Sequence, residues 1–253
     1  MKIAVVIPAF NEQSNIAAVV NALHQTAAEH GLNITPVVVN DCSTDNTAAI
    51  LSTLNCVALN LPVNLGIGGA VQTGMKYAYR NGFDVAFQLD GDGQHPPGQI
   101  PILVRAHIEQ GWDVVIGSRF LKNEGFQSTF ARRTGIKYFK HLIKLLCGIT
   151  VTDATSGYRL LNRKALAIVD MYYPHDYPEP EAVIIYSRNK LKMGEVPVIM
   201  LERQGGVSSI GFTKSIFYMV KVTLAVVFTY FVTKPKNLTP SPSPKGEGNN
   251  YNA

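Results

Sequence analysis

The first 120 residues alternate apolar runs with helical patterns, and this alternation constrains the fold more than any other feature. Short runs rich in β-branched residues lie at 2–7, 34–40, 57–61, 85–90 and 114–119. Helical patterns fill most of the intervals, and Gly31 follows the first of them, where a helix is expected to stop. Strands that alternate with helices predict βαβ units. We therefore expect an α/β fold with a Rossmann-like, mostly parallel central sheet flanked by helices.

Composition limits the class of protein further. The chain has 253 residues, of which 46% are hydrophobic and 16% charged, which fits one large α/β domain with or without a tail. A net charge of +5 suits anionic partners such as nucleotides, phospholipid surfaces or nucleic acid. The three cysteines are widely spaced, form no metal-binding pattern and favour a reducing compartment. We expect no secretory signal ahead of the first strand.

Polar loops follow three of the predicted strands. They contain Asn11 and Glu12 after the first, residues 41–45 after the second, and residues 90–95 after the fourth. Ligands of open α/β sheets bind at the carboxyl ends of the strands, so we expect the three loops to share one cleft. Asp90 and Asp92, separated only by a glycine, offer oxygens to a hard divalent cation that takes its other ligands from water and phosphates. A solvated Asp-Gly turn is the alternative.

Two common nucleotide-binding motifs are absent from the sequence. The first strand-to-helix turn reads P-A-F-N-E, where a dinucleotide-binding domain has G-x-G-x-x-G. No G-x-x-x-x-G-K-[ST] loop occurs in the chain either. These absences indicate a nucleotide site that uses a metal, without a phosphate-cradling loop.

Five stretches together resemble the family 2 glycosyltransferases, which have the GT-A fold. They are V-V-I-P-A-F-N-E at 5–12, V-V-N-D-C-S-T-D-N-T at 38–47, N-L-G-I-G-G-A at 64–70, D-G-D-G-Q-H-P-P at 90–97 and G-S-R at 117–119. The resemblance covers roughly the first 210 residues and looks closest to dolichyl- or polyprenyl-phosphate sugar transferases. It implies an inverting transfer from a nucleotide sugar with Mg²⁺ or Mn²⁺. Asn40 and Cys42 depart from the family's usual D-D-G-S.

The resemblance also implies roles for individual residues. Asp41 would contact the nucleotide base, Asp90 and Asp92 would hold the metal and the diphosphate, and Arg203 would contact the diphosphate from a glycine-containing loop. The full expected donor site comprises Pro8, Ala9, Asn11, Glu12, Asp41, Gly69, Asp90, Gly91, Asp92 and Arg203. The expected acceptor site comprises Gln94, Arg119, Arg132, Arg133 and Ser156, with the choice between Arg132 and Arg133 open.

The region after residue 130 is predicted to meet the acceptor. The spacing predicts a helix over 131–147 with an apolar face and a basic stripe, which is either an ordinary solvated face or a surface for anionic lipid head groups. Residues 153–159 resemble the family's D-x-x-S-G-[FY]-R segment beside the acceptor site, or form a plain turn before a strand. A last strand is expected at 195–201.

A hydroxyl acceptor requires a general base, and Glu181, with Glu179 as the alternate, is the candidate next to the cleft. A phosphate monoester is largely ionised near neutral pH and needs no base. In that case we expect Glu181 to position groups or to cap a helix. The catalytic residues predicted from sequence are Asp92, Glu181 and Arg203.

Three segments are predicted: a GT-A domain at 1–212, a hydrophobic helix at 213–233 and a disordered tail at 234–253. The apolar run at 216–232 lies at the lower length limit for spanning a membrane. We expect it to associate with a membrane, to span it weakly or to bind a membrane protein. A buried helix packed on the domain is the alternative.

The sequence therefore predicts a metal-dependent hexosyltransferase at the cytoplasmic face of the cell membrane, peripheral or weakly anchored. Its acceptor would be a polyprenyl phosphate or a growing glycan, including a sugar hydroxyl in cell-surface polysaccharide synthesis. A sugar nucleotidylyltransferase is a rival, but P-A-F-N-E differs from the loop typical of that class. A non-catalytic membrane-peripheral binding protein is a weaker rival, because acidic residues in the cleft would repel phosphates without a metal. We expect no nucleic-acid partner.

Overall fold

The computed structural model of the protein is a seven-stranded sheet with helices on both faces. The structure describes residues 1–122, 130–176, 178–201 and 212–233, with side chains from Arg133 in the fifth helix and from Met219 in the last. The strands are β1 (Lys2–Ala9), β2 (Asn33–Asn40), β3 (Val57–Asn60), β4 (Val85–Gln88), β5 (Val114–Ser118), β6 (Arg159–Asn162) and β7 (Met193–Pro197). Their order in the sheet is β3-β2-β1-β4-β6-β5-β7.

The helices between β1 and β5 connect parallel strands, as in βαβ units. The helices of the fold are α1 (Ile16–His30), α2 (Thr47–Leu51), α3 (Gly66–Arg80), α4 (Ile100–Gln110), α5 (Phe130–Cys147), α6 (Arg163–Met171), α7 (Pro178–Arg188) and α8 (Phe212–Val232). A 3₁₀ turn at Pro97–Gln99 precedes α4. Gly31 ends α1 in the left-handed conformation at φ 62°, as the sequence predicted.

The core has two halves, one on each face of the sheet. Alternate residues of β1 face opposite sides, so Ala4 and Val6 pack toward α3, whereas Ile3, Val5 and Ile7 pack toward α1. All five are fully buried, which explains the continuous apolar run that begins the chain. Because β1 lies between β2 and β4 and parallel to both, its carboxyl end is the centre of one sheet edge.

The predicted parallel sheet is confirmed, with one addition that the sequence did not indicate. β6 lies antiparallel between β4 and β5. One local expectation was wrong in its residue range. β7 runs over Met193–Pro197, so it starts and ends earlier than the predicted 195–201. Asn15 occupies the N-cap position of α1, without a capping side-chain hydrogen bond.

The amphipathic helix predicted after residue 130 is present as α5. Ile136, Phe139 and Ile143 are buried against the domain. Arg133 and Lys137 are exposed on the opposite stripe together with Lys144. The helix therefore presents a basic surface to solvent while its apolar face completes the core.

The C-terminal helix α8 packs on α7 and α5. Val222 and Val226 are fully buried, and Lys221 Nζ forms an ion pair with Asp176 at 3.0 Å. One face of α8 is therefore buried against the domain, which is the alternative that the sequence analysis gave to membrane association. Among the described residues, we find no helix with the length and apolar character needed to cross a membrane.

The other face of α8 is apolar and open to solvent. Its residues Val220, Leu224, Phe228, Phe231 and Val232 are each more than half exposed. The helix predicted at 213–233 begins one residue earlier, at Phe212, so residues 212 and 213 belong to the same helix. The predicted tail at 234–253 lies outside the described residues.

Candidate active site

The three polar loops meet in one cleft, as expected from the parallel strands. Glu12 comes from the loop after β1, Asp41 from the loop after β2, and Asp90 and Asp92 from the loop after β4. The rest of the cleft lining consists of Pro8, Ala9, Phe10, Ile67, Ala70 and Gly91. Four carboxylates in one cleft give it strongly acidic walls, which suit a cation.

The first two loops are tied to each other by hydrogen bonds. Asn11 adopts a positive φ of 56°, and its backbone N–H donates to Ser43 Oγ at 3.0 Å. The Asn11 side-chain oxygen accepts from the backbone N–H of Thr44 at 2.8 Å. The backbone N–H of Glu12 donates to Thr47 Oγ1 at 3.0 Å. Because both loops satisfy each other's polar groups, they form one rigid wall of the cleft.

Asp41 organises the start of α3. Its carboxylate accepts from the backbone N–H of Leu65 at 2.7 Å, and its carbonyl accepts from Asn64 Nδ2 at 3.1 Å. The residue is only 3% exposed. The role predicted for Asp41 at the nucleotide base is untested, but its position ties the second loop to the glycine-rich turn.

The two departures from the usual D-D-G-S have separate structural consequences. Asn40 Nδ2 donates to Asn60 Oδ1 at 2.9 Å, and Asn40 Oδ1 accepts from Ser43 N at 3.1 Å, so the amide links β2 to β3. Cys42 stands in the left-handed region at φ 59°, where glycine is favoured. The chain therefore carries some backbone strain beside Asp41.

Asp90 and Asp92 are held by the turn that follows β4. Asp92 Oδ1 accepts from the backbone N–H of Gln94 at 3.0 Å, and Gly93 supplies the positive φ of 75° that the turn needs. A Cβ at Gly91 would lie 3.2 Å from the Pro8 carbonyl oxygen, which is closer than ordinary van der Waals contact. The glycine between the two aspartates therefore lets the loop approach β1 closely.

The donor set fits a divalent cation that is completed by substrate. Asp90 and Asp92 supply hard carboxylate oxygens, and the Asp90 side chain is about one-third exposed toward the cleft. Among the described residues there is no group of three or more His, Cys, Asp or Glu side chains arranged to hold a metal by itself. The two carboxylates suit a hard cation such as Mg²⁺ or Mn²⁺ that takes further ligands from water and phosphate.

His95 is buried beneath the loop that carries Asp90 and Asp92. It is 2% exposed, and its ring stacks on Tyr158 with centroids 5.0 Å apart. Its Nδ1 lies 3.5 Å from both the backbone nitrogen and Oδ2 of Asp90. Burial lowers the pKa of His95 to about 4, against the opposing charge of Asp92. His95 is therefore neutral at physiological pH and supports the Asp90 loop by packing.

A buried network links the Asp90 side of the cleft to α7. Gln88 Nε2 donates to Glu179 Oε1 at 3.3 Å, and Tyr173 Oη donates to Gln88 Oε1 at 3.4 Å. The Arg159 guanidinium donates to three backbone carbonyls, including that of Glu179 at 2.9 Å. Burial raises the pKa of Glu179, which Arg159 opposes and the charge of Asp90 reinforces.

The two candidate bases lie on different sides of α7. Glu181 Oε2 accepts from Thr229 Oγ1 on α8 at 2.8 Å, and burial raises its pKa. Glu179 is the carboxylate that borders Gln88 and Asp90. The preference for Glu181 as the base stays a prediction, but the structure places Glu179 against Gln88, because residues two apart on a helix point in nearly opposite directions.

The predicted acceptor residues are only partly brought together. The buried Arg119 guanidinium donates from Nε and Nη2 to the two Asp153 oxygens, each at 2.6 Å. Ser156 Oγ accepts from the backbone N–H of Tyr158 at 3.2 Å, within the turn before β6. The backbone N–H of Leu201 donates to the backbone carbonyl of Gln94 at 3.0 Å. Acceptor roles for these three residues stay predictions.

The remaining predicted site residues lie at the edges of the site or beyond the described chain. Arg133 is exposed on α5. The side chain of Arg132 and all of Arg203 lie outside the described residues. Gly69 lies in the first turn of α3, against the Leu65 side chain. The roles predicted for these four residues remain untested.

Sequence reasoning missed the Gln88 network as part of the site. The available signal was Gln88 itself, a polar side chain inside the apolar run of β4, since such residues are usually exposed. Phe10, Ile67 and Ala70 were missed as cleft residues because nothing in their type distinguishes them from ordinary apolar residues.

The fold and the cleft agree with comparisons with known proteins. The family model of Glycosyl transferase family 2 matches residues 4–168. The chain belongs to this family, and its enzymatic class is glycosyltransferase. It is 33% identical over 216 residues to the UDP-N-acetylglucosamine–dolichyl-phosphate N-acetylglucosaminyltransferase of Methanococcus voltae, covering 78% of this chain and 84% of that protein.

Further relatives transfer sugars to lipid phosphates according to their names. The chain is 27% identical to the polyprenol monophosphomannose synthase of Mycolicibacterium smegmatis, covering 81% of this chain and 79% of that protein. It is also 27% identical to the undecaprenyl-phosphate mannosyltransferase of Micrococcus luteus, and the match covers 82% of this chain and 87% of that protein.

Solved structures support the fold. Glucosyl-3-phosphoglycerate synthase from Mycobacterium tuberculosis, in complex with Mn²⁺, uridine diphosphate and phosphoglyceric acid, superposes with a TM-score of 0.68 at 18% identity. The match covers 93% of this chain and 80% of that structure. The architecture is therefore the GT-A fold predicted from sequence.

Proposed function

We propose that this protein is a metal-dependent inverting glycosyltransferase that moves a hexose from a nucleotide sugar to a polyprenyl phosphate at the cytoplasmic face of the membrane. The observation that carries the proposal is the cleft, where Asp90 and Asp92 meet Asp41 and Glu12 at the carboxyl edge of the sheet. The lipid-phosphate acceptors in the names of the three relatives support the choice of acceptor.

The donor would lie across the carboxyl ends of β1, β2 and β4. The interlocked loops around Asn11 and Asp41 form the wall for the nucleoside, and the Asp90–Asp92 turn faces the diphosphate. Mg²⁺ or Mn²⁺ held by Asp90 and Asp92 would offset the charge of the diphosphate leaving group. Mn²⁺ in the related glucosyl-3-phosphoglycerate synthase supports this assignment.

Transfer requires an acceptor oxygen on the face of the sugar opposite the diphosphate. A lipid phosphate monoester has a second pKa of about 6 and supplies an ionised oxygen near neutral pH. Glu179 would then help to orient the Asp90 side of the site through Gln88, without taking a proton from the acceptor. Arg203, at its position in the sequence, is proposed to contact the diphosphate, as a guanidinium fork suits that group.

A sugar hydroxyl in cell-surface polysaccharide synthesis is the second candidate acceptor. One observation favours it: Glu179, a carboxylate with a raised pKa, stands beside Asp90 where a general base would be needed. The two acceptors make opposite predictions for Glu179, since only a hydroxyl acceptor would need its carboxylate as a base.

The membrane location is proposed from the surfaces of two helices. The exposed stripe of α5 carries Arg133, Lys137 and Lys144, which suits anionic lipid head groups. The exposed face of α8 carries Leu224 and Phe228. The expected membrane-protein partner for α8 remains a proposal without a structural observation that favours it.

The test is release of nucleoside diphosphate from a panel of nucleotide sugars, with Mn²⁺, in the presence and absence of a polyprenyl phosphate. We expect release that depends on both metal and lipid, and a product whose anomeric configuration is opposite to that of the donor. Release that depends on a sugar hydroxyl acceptor would favour the second candidate. Pyrophosphate as product would indicate a nucleotidylyltransferase and overturn both.

A further inference from the structure

An apolar groove lies between α6, α7 and α8, separate from the acidic cleft. It encloses about 420 Å³, within the range of cavities that bind small molecules. Its walls are Ile168, Met171, Tyr172, Ile185, Asn189, Phe228, Thr229, Val232 and Thr233. We propose that this groove binds the apolar chain of a polyprenyl phosphate acceptor, an inference that rests on the acceptor class in the proposed function.

The chemistry of the lining points to an uncharged chain. Most of the lining residues are aliphatic or aromatic, and none of them carries a charge. Two of the polar side chains bond within the protein: Thr229 Oγ1 donates to Glu181, and Asn189 Nδ2 donates to the Ile185 carbonyl at 2.8 Å. A polar ligand would therefore gain little here, whereas an apolar chain would remove exposed Met171, Phe228 and Val232 from water.

The groove is continuous with the exposed apolar face of α8. Phe228 and Val232 belong to both surfaces and are 68% and 57% exposed. Leu224, which precedes Phe228 by about one helical turn and is 65% exposed, extends the apolar surface along the helix beyond the groove. A polyprenyl chain longer than the groove could therefore continue along the apolar face of α8 instead of extending into water. A shorter ligand would not need this second surface.

The groove and the Asp90 network share one stretch of backbone. Tyr172 forms part of the groove wall and is half exposed, whereas the next residue, Tyr173, is buried and donates to Gln88. Gln88 in turn bonds Glu179 beside Asp90. The groove wall at Tyr172 is therefore one residue along the chain from Tyr173, which begins the hydrogen-bonded network on the Asp90 side of the cleft.

The chain's own C-terminal residues suit the groove poorly. Residues 234–253 follow directly on Thr233 but contain only two large apolar or aromatic side chains, Leu238 and Tyr251, among residues that are mostly lysines, prolines, serines, glycines and asparagines. A second copy of the protein is an outcome that the experiment distinguishes.

The test compares charge substitutions inside and outside the groove. Phe228→Asp and Val232→Asp place a carboxylate at the groove, whereas Phe231→Asp places one on the same exposed helix face outside the lining. All three positions are more than half exposed, so the variants are expected to fold alike. Each is assayed with polyprenyl phosphates of increasing chain length, delivered from cyclodextrin.

For the wild type we expect the acceptor KM to fall as the chain lengthens. Phe228→Asp and Val232→Asp should raise the KM for long acceptors about tenfold and leave the shortest acceptor and the donor KM unchanged. Phe231→Asp should behave as the wild type. A KM independent of chain length, or an equal effect of all three substitutions, would overturn the proposal while leaving the proposed function intact.

A second readout does not depend on activity. Hydrogen exchange of the full-length protein with an uncharged polyprenol should become slower at 168–172, 185–189 and 228–233, and Phe228→Asp should abolish this protection. Loss of transfer to every lipid phosphate, with protection retained, would contradict the proposed function but not the apolar site. Absent protection, or protection that tracks dimer formation in sedimentation, would overturn the groove as a chain-binding site.

Discussion

Gln88 on β4 and Glu179 on α7 are joined by a hydrogen bond from Nε2 to Oε1 at 3.3 Å. This contact brings Glu179, rather than Glu181, to the side of Asp90. Glu179, two residues before Glu181 in the chain, is therefore the carboxylate that lies next to the cleft. Glu181 instead joins α7 to α8 through Thr229.

The first prediction uses this difference between the two glutamates. With a polyprenyl phosphate acceptor we expect Glu179→Gln to retain kcat within about tenfold of the wild type, because an ionised phosphate needs no base. Glu181→Gln is the matched control and should retain kcat with either acceptor. Steady-state kinetics measures both variants. A loss of about 10²-fold or more in Glu179→Gln alone with the polyprenyl phosphate would contradict the prediction, whereas the same loss with a sugar hydroxyl acceptor would assign Glu179 as the base for that acceptor.

The second prediction concerns the buried ion pair of Arg119 and Asp153. Asp153 is fully buried and accepts two guanidinium hydrogen bonds from Arg119. Asp153→Asn should lower the free energy of unfolding by about 3–5 kcal/mol, because it leaves a buried charge without its partner.

The control is the exposed pair of Arg80 and Asp170, where the arginine side chain is 65% exposed. Asp170→Asn should cost at most about 1 kcal/mol. Urea denaturation measures both substitutions. Equal effects of the two substitutions would contradict the prediction, since they would show that the Arg119 guanidinium is not left buried without a partner when Asp153 is changed.

The third prediction concerns Cys42 at φ 59°. A β-branched residue is strained in the left-handed region, whereas glycine and asparagine are tolerated. Cys42→Val should therefore be about 1–2 kcal/mol less stable than Cys42→Asn or Cys42→Gly. Thermal unfolding of the three variants is the measurement, and equal stabilities would contradict the strained conformation.

The fourth prediction is a pH dependence that comes from His95. Burial lowers its pKa from 6.5 to about 4, so the unfolded state binds more protons than the folded state between these values. Stability should therefore fall as the pH drops from about 6.5 to 4, by up to about 3 kcal/mol from this group.

His95→Gln should be less stable at neutral pH, because it loses the stacking on Tyr158, but its stability should change less over this pH range. Urea unfolding with metal chelated and without donor isolates the effect. An unchanged slope in His95→Gln would mean that other groups produce the acid sensitivity.

The sheet and its cleft were predictable from the sequence because each depends on local patterns. Apolar runs such as 2–7 favour buried strands, and parallel strands bring their polar loops to one edge. The antiparallel insertion of β6 was not predictable, since nothing in residues 159–162 encodes the direction of its neighbours. Pairing between distant strands is decided by the packing of the whole chain.

The directions of side chains were the other limit of the sequence. Glu179 and Glu181 are equivalent in a string of letters, but the helix that carries them turns about 100° per residue and separates them. Likewise, the sequence does not show that the Arg119 guanidinium forms a buried ion pair with Asp153. Both distinctions depend on distant residues, which local motifs do not contain.

The most direct test of the central claim is the metal dependence of lipid-linked product in Asp92→Asn. The substituted side chain can still accept the Gln94 backbone N–H, so the turn should remain folded. Asp170→Asn is the matched control. With Mn²⁺, a nucleotide sugar and a polyprenyl phosphate, we predict product from the wild type and the control, abolished by a chelator, and none from Asp92→Asn. Near-normal turnover by Asp92→Asn, or by the wild type in chelator, would contradict a metal-dependent transfer at this site.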